Sequence, residues 1–465
     1  MSIHNILRGV ALGALASSVA FALALSAGCV GKPARGEKAA RTQVENVAAK
    51  YRPQEGPALP NLTADSPLAD FVTYAILKNP KVEAAFYDWK QSVEEIVAAR
   101  SLPDPMLNLG AEIEKSLMGL TPMIGADPMN NWPGPGKLPL QAEAALDMAR
   151  QKRALFRAEM LSTALPVKEA YYQMWVLNER IRLTRETIAV VNDFERLALQ
   201  RLQVGQVSQQ DVLRAQIELD RLASDLASLE DAAKPLEARW ASALGVRSGE
   251  PAVPVPAKFE VEHLDLSEEG LLETAYKTNP RLEAMQTEVD RAMALYELAQ
   301  KANVPDWSWS VGANVKTSPI TVMPSVGITL PIWRDKVKAE IAAADAATGA
   351  ARARLSSEQL DVAVEFAENA YAWRDADRKV RLYEDKLISK AQASLDAASA
   401  GYTAGITGFL DLLDAERMLL EFKMNDAMAK GDREMALAEL SLSVLGRWPE
   451  GAANPLEPGG PKAGP

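Results

Sequence analysis

Side chains able to do chemistry near neutral pH are scarce in this sequence. Its 465 residues hold two histidines, His4 and His263, and one cysteine, Cys29. Imidazole and thiolate carry most hydrolytic and metal chemistry near neutrality, and no metal constellation can be assembled from these three. There is no glycine-rich phosphate loop and no Gly-x-Ser-x-Gly elbow. Carboxylates are plentiful, but they fall along helical patterns without special pairing. The one soft-ligand cluster is Met106, Met118, Met123 and Met129, whose thioethers can bind Cu(I) and in a loop more ordinarily pack. The pattern points away from catalysis and implies no cofactor.

The elements that would position these residues come next. An apolar content of 48% is enough for a substantial core, and 51 basic against 62 acidic residues give a net charge of -11. No basic patch is interleaved with aromatic residues, so nucleic acid is excluded as a partner. The length suits two or three ordinary domains or one large repeated architecture.

Repetition is what the sequence shows. "RLQVGQVSQQDVLRAQIELD" has Gly205, Asp211, Leu213 and Ala215 where "GYTAGITGFLDLLDAERMLL" has Gly405, Asp411, Leu413 and Ala415. The same offset of about 200 relates Asn79-Pro80 to Asn279-Pro280, "LPDPMLNLGAEIEK" to "VPDWSWSVGANVK", and "ASALGV" to "LSVLGR". One offset kept through four landmarks is an internal duplication. The repeats are placed at 66–245 and 270–446, with a proline-rich linker at 246–269 and a tail at 447–465 unable to form a core.

Each repeat reads as a helix, two strands and two more helices. The first helix is expected over about 67–100, capped by Ser66 with Pro67 in its first turn. In the strands, Leu107, Leu109, Ala111 and Ile113 alternate with polar or small residues, as do Trp307, Trp309, Val311, Ala313 and Val315, and then Val326, Ile328, Leu330 and Ile332. Such alternation gives one apolar face. It fits a soluble sheet over a core, but about ten residues is also what a tilted strand needs to cross a bilayer. Trp307, Trp309 and Trp333 suit a lipid interface. Four strands cannot close a barrel, and open edges are not tolerated in lipid, so spanning strands would require several chains to share one barrel.

Helix formers run from about Leu140 to Val204 and from Lys336 to Ala404, roughly 100 Å each at 1.5 Å per residue. Pro166 is expected to kink or interrupt the first run. Each turns at Gly205 or Gly405 and returns to Gly245 or Gly446, as two coiled-coil hairpins.

At the N-terminus an uncharged apolar run follows Arg8, with Ala27 and Gly28 just before Cys29. This resembles a bacterial lipoprotein signal peptide covering 1–28, which implies acylation of Cys29 and a lipidated tether over 29–65. Ser26 stands where a leucine is usual. The other reading of about 20 apolar residues is an uncleaved membrane span.

The span 62–446 resembles the TolC-type outer-membrane efflux proteins. The pieces that carry this are the Asn-Pro motif with its helix, "VPDWSWSVGANV", "LPIWRDKVKAEIAAADA", and the two glycine tips. The resemblance implies a mainly α fold with a small membrane β-barrel portion. Three chains would give four strands each to a twelve-stranded barrel above a periplasmic α-barrel. It also implies an outer-membrane location, lipid-anchored and extending into the periplasm, as the exit duct of a tripartite efflux system. The partners implied by the resemblance are a homotrimer, outer-membrane lipid, a periplasmic adaptor and a proton-driven inner-membrane pump. An outer-membrane duct for protein secretion and a non-channel coiled-coil adaptor are the rival readings.

By the same resemblance, Arg201, Leu202, Gly205, Val207 and Ser208 of the first tip meet the adaptor, with Tyr402, Gly405, Ile406 and Thr407 of the second. Asp411 and Asp414 would narrow the pore, six carboxylates in a trimer. Their plainer roles are a first-turn acid favoured by the helix dipole and a partner for Arg417. Asp211 reads first as the second half of a capping box with Ser208. Thr407 stands where some members carry an arginine whose ion pair helps to shut the tip, so other contacts must hold it here. "NNWPGPGKLPLQAEAA" resembles the Pro-Gly-Lys junction of heavy-metal cation efflux subunits, which together with the methionines leans the substrate toward metal cations.

Overall fold

The computed structural model describes residues 33–51, 59–113, 120–247, 249–251, 253–256, 258–261, 270–314 and 321–457. Cys29, both histidines and Met118 lie outside these residues. Two compact units are formed, one from residues up to 46, 86–155 and 283–357, the other from 47–85, 156–282 and 358–465.

The first unit holds the sheet. Strands β1 (Met106–Ile113), β2 (Leu120–Trp132), β3 (Trp307–Asn314) and β4 (Thr321–Ile328) lie in the order β1-β2-β3-β4, all antiparallel. The duplicated hairpins join edge to edge through β2 and β3. In this register Leu107, Leu109, Ile124 and Ala126 share a face with Trp307, Trp309, Val311, Val326 and Ile328. The opposite face carries Asn108, Asp127, Ser308, Ser310 and Ser325, four glycines and three methionines. Period-two alternation in four separate segments has therefore been aligned into one apolar and one polar surface. The apolar one is largely exposed among the described residues, with Leu109 76% and Val326 70% exposed.

The base of the sheet is stitched by the Pro-Gly-Lys segment. Asp306 accepts hydrogen bonds from the Gly134 amide and from the Lys137 ammonium, both at 2.7 Å. A Cβ on Gly134 would stand 2.4 Å from the Pro305 carbonyl oxygen, so only glycine fits. This motif thus has a structural task, joining the start of one repeat's long helix to the loop before the other repeat's β3.

The segment expected to be a tether contains a helix, α1 (Glu37–Tyr51). Glu37 is 3% exposed and lies between Arg41 and Arg100, at 3.3 and 3.0 Å, while Arg41 also reaches Glu94 at 3.0 Å. A polar composition hid this, because the helix is held by ion pairs and by Val44 and Val47, not by a continuous apolar stripe. The tail is also a correction in part. In the second unit Lys50 donates to the carbonyls of Asn454 and Glu457, the Thr73 hydroxyl accepts from the Ala453 amide, and Pro449 and Pro455 are buried.

The expected first helix is two, α2 (Leu68–Lys78) and α3 (Pro80–Arg100), divided at Asn79. A residue before proline is pushed out of the helical region, and Asn79 has ψ 122°. Ser66 does not cap it; Pro67 holds the cap position, and the Ser66 hydroxyl accepts from the Thr63 amide instead. The break repeats between α6 (Leu271–Thr278) and α7 (Pro280–Gln300). Here Asn279 is 1% exposed, its amide donating to the Ser443 and Val444 carbonyls at 3.0 Å and its oxygen accepting from the Arg281 amide. Gly446, at φ +58°, packs on Thr278 and Pro280, as Gly245, at φ +70°, packs on Lys78 and Asn79. The first and last landmarks of each repeat are thus packing partners.

Helix α4 (Lys137–Gln203) runs 67 residues through Pro166, so the proline does not interrupt it. It turns into α5 (Gln209–Ala243). In the second repeat α8 (Arg334–Leu382) passes through a π-helical turn at Tyr383–Leu387 into α9 (Ile388–Ala404), which turns into α10 (Phe409–Glu439). Among the described residues, no helix is long and apolar enough to cross a membrane.

Candidate functional site

Both tips are built alike. Gly205 and Gly405 have φ +72° and +76°, and the next residue's amide bonds back five positions, Gln206 to Arg201 at 2.9 Å and Ile406 to Gly401 at 2.8 Å. That is the Schellman ending, in which a left-handed glycine lets the last carbonyls be satisfied. Ser208 and Gly408 then start the descending helices in extended conformation.

The four helix ends share one core. Phe194, Ala198, Val212 and Ala215 pack with Leu395, Tyr402, Phe409, Leu412 and Leu413, all nine-tenths or more buried. Leu202 and Val207 are half-buried against it, so these two serve the tip's own packing. Among the apolar side chains left to solvent are Ile406, 82% exposed, and Val204, 68%, with Leu213 and Ile217 one turn apart on α5. Sequence reasoning had not assigned Val204, Leu213 or Ile217 to a contact surface; for Leu213 and Ile217 the signal was an i, i+4 apolar pair beside the buried stripe.

Arg201 links the two hairpins. Its guanidinium donates to the carbonyls of Tyr402 and Thr403, and it lies 4.8 Å from the centre of the Tyr402 ring. A cation at the C-terminal carbonyls of α9 also meets the negative end of that helix. Tyr402 is 2% exposed and sits edge-on to Phe409, at 5.4 Å between ring centres. Its hydroxyl makes no hydrogen bond. Burial, and then the nearby Asp211 carboxylate, push its pKa up, opposed by Arg201. Thr407 secures the turn from within, its hydroxyl donating to the Ala398 carbonyl at 3.0 Å.

The carboxylates sort differently from the expectation. Ser208 makes no side-chain cap bond, and Asp211 lies 3.9 Å from Arg214. Instead Asp411 caps, accepting the Gly408 amide at 3.0 Å. Asp414, 57% exposed, is 3.4 Å from Arg417, which also holds Glu218, 4% exposed, on α5. Asp411 is exposed as well. Nearby, Glu416 is 4% exposed with one carboxylate oxygen unbonded, and burial raises its pKa despite a bond from Thr187. Among the described residues no group of three or more His, Cys, Asp or Glu is placed to hold a metal ion.

A duplicated strand pair and helical hairpin with a one-faced apolar sheet defines a recognisable class. The chain matches the outer membrane efflux protein model over residues 135–246 and 271–446, and belongs to that family. It is 22% identical over 386 residues to the cobalt-zinc-cadmium resistance protein CzcC of Cupriavidus metallidurans, covering 79% of this chain and 87% of that one. A membrane protein of Pseudomonas aeruginosa shares the fold with TM-score 0.71 at 18% identity, covering 83% of this chain and 92% of that one. The open state of the Neisseria gonorrhoeae MtrE outer membrane channel does so with TM-score 0.67 at 20% identity, over 82% and 89%. The protein is an outer-membrane efflux channel of this family, mainly helical with a small four-stranded sheet portion.

Proposed function

We propose that the chain is the passive exit duct of a tripartite efflux system for metal cations, assembled as a trimer and anchored by lipid on Cys29. The observation that carries the duct is the sheet, whose apolar face is exposed and whose edges, β1 and β4, pair with no further strand among the described residues. Backbone edges in hydrocarbon must be paired, and three copies give 3 × 4 = 12 strands, enough for a closed barrel. The likeness to CzcC supports metal cations as the cargo. An inner-membrane pump supplies the energy, and a periplasmic adaptor engages the tips around Gly205 and Gly405.

The experiment is a sensitivity panel on a deletion strain. Loss of tolerance to divalent metals, restored by the wild-type gene, is the expected result; unchanged metal tolerance with lost drug tolerance overturns the cargo. At the gate, Asp411 has two roles that can be separated. Asp411→Asn with Asp414→Asn removes charge while keeping an oxygen for the Gly408 amide, and is expected to weaken block of the channel by multivalent cations in planar bilayers. Unchanged block removes the pair from the constriction.

A further inference from the structure

Among the described residues in regular register on the polar face of the sheet, the only apolar side chains larger than alanine are methionines, at positions 106, 123 and 323. The face is otherwise glycine, serine, threonine, asparagine and acids, with no leucine or valine on the paired positions, so an apolar cluster does not explain them. Met129 pairs with Trp309 beyond a register shift and is not on this set of rows. Two of the three are related by the duplication, for "TPM" at 121–123 returns as "TVM" at 321–323, with the offset of the other landmarks. Met123 pairs with Gly110 and Asn314, and Met323 with Gly312, which pairs in turn with Gly125. Met323 is 42% exposed, and its side chain lies over Gly312, the methyl 4.0 Å from where a Cβ on that glycine would stand. Gly312 and Gly125 leave an open floor between the two methionines.

We propose that Met123 and Met323 form a thioether ring on the lumenal face of the barrel, a transit site for a soft monovalent cation such as Cu(I) or Ag(I). This rests on reading the chain as a trimeric duct. Strands β2 and β4 are two apart, about 10 Å, and the hydrogen-bonded rows shift by two residues between the methionines. In a barrel whose strands tilt by roughly 35–45° a row climbs as it goes round, so equivalent residues of the two hairpins share one level. Two per chain in three chains make six thioethers. Each sits on a flexible arm of three rotatable bonds, which lets neighbours share one cation between two sulfurs. Thioether is a soft donor that selects Cu(I) over hard cations, and a neutral donor holds the ion loosely enough to release it.

The test is single-channel recording of the full-length trimer in planar bilayers, in nitrate salts, with Ag(I) added. The wild type is expected to show concentration-dependent block. Met123→Leu with Met323→Leu, close in volume, is expected to need at least tenfold more Ag(I) for the same block at unchanged K⁺ conductance. Each single variant, tested alongside in case the double variant fails to assemble, is expected to fall between. Silver retained per trimer after desalting should fall in step. Equal block in wild type and variants, or a conducting wild type indifferent to Ag(I), overturns the ring alone. A trimer that inserts but conducts no K⁺ overturns the duct on which the ring rests.

Discussion

Arg201 answers a question that Thr407 raises. In the second tip Thr407 is bonded within its own turn, and a cation comes from the first hairpin, where Arg201 grips the Tyr402 and Thr403 carbonyls. A planar guanidinium can fork across two carbonyls and stack on a ring; an ammonium cannot do both. Arg201→Ala is expected to raise single-channel conductance at neutral pH, and Arg201→Lys to recover only part of the closure. Equal conductance in all three would detach Arg201 from the tip's closure. Glu416 argues the other way, as a residue that costs stability. Burial raises its folded pKa above the unfolded value, so its favourable contribution is complete below the unfolded pKa, about 4.3, and fades as pH rises through the folded one. Glu416→Gln should therefore melt higher than wild type at pH 7, with the gain vanishing below about pH 4. A gain independent of pH would show that charge is not its source.

At the scale of elements, the repeated Asn-Pro motif does two unequal jobs. Asn79 is half-buried, and its side chain bonds the Lys81 amide, whereas Asn279 is buried and ties two carbonyls at the end of the π-helical turn Leu440–Val444 that follows α10. Orphaning a buried acceptor costs about 1–3 kcal/mol, so Asn279→Ala should lower the melting temperature of the trimer well beyond Asn79→Ala. Equal losses would mean that the motif acts only by breaking the helix. This inequality was not legible in the sequence, where both motifs read alike. Legible there were the strands, the tips and the long helices, each announced by a period or a glycine. Hidden were features decided at a distance: the ion pairs that hold α1, the Lys50 contacts that fasten the tail, and the Asp306 stitch that explains Pro-Gly-Lys. The π-helical turn before α9 has no mark in composition, and Pro166 did not stop α4 because packing overrides a local penalty.

For the whole molecule the decisive asymmetry is between the two faces of one sheet. Val326 and Ser325 are neighbours in β4, yet register sends one to the apolar face beside Trp309 and the other to the polar face, where its hydroxyl bonds Ser310. In an outer-membrane barrel a lysine facing lipid at mid-depth costs roughly 2–4 kcal/mol, while one facing the lumen is tolerated. In the proposed trimer that cost is repeated in every chain. Val326→Lys is therefore expected to abolish the heat-sensitive trimer in outer-membrane fractions. Ser325→Lys should leave the trimer intact and shift ion preference toward anions in planar bilayers. If both variants assembled equally well, the apolar face would not be touching lipid, and the exit duct would have to give way to a sheet covered by protein.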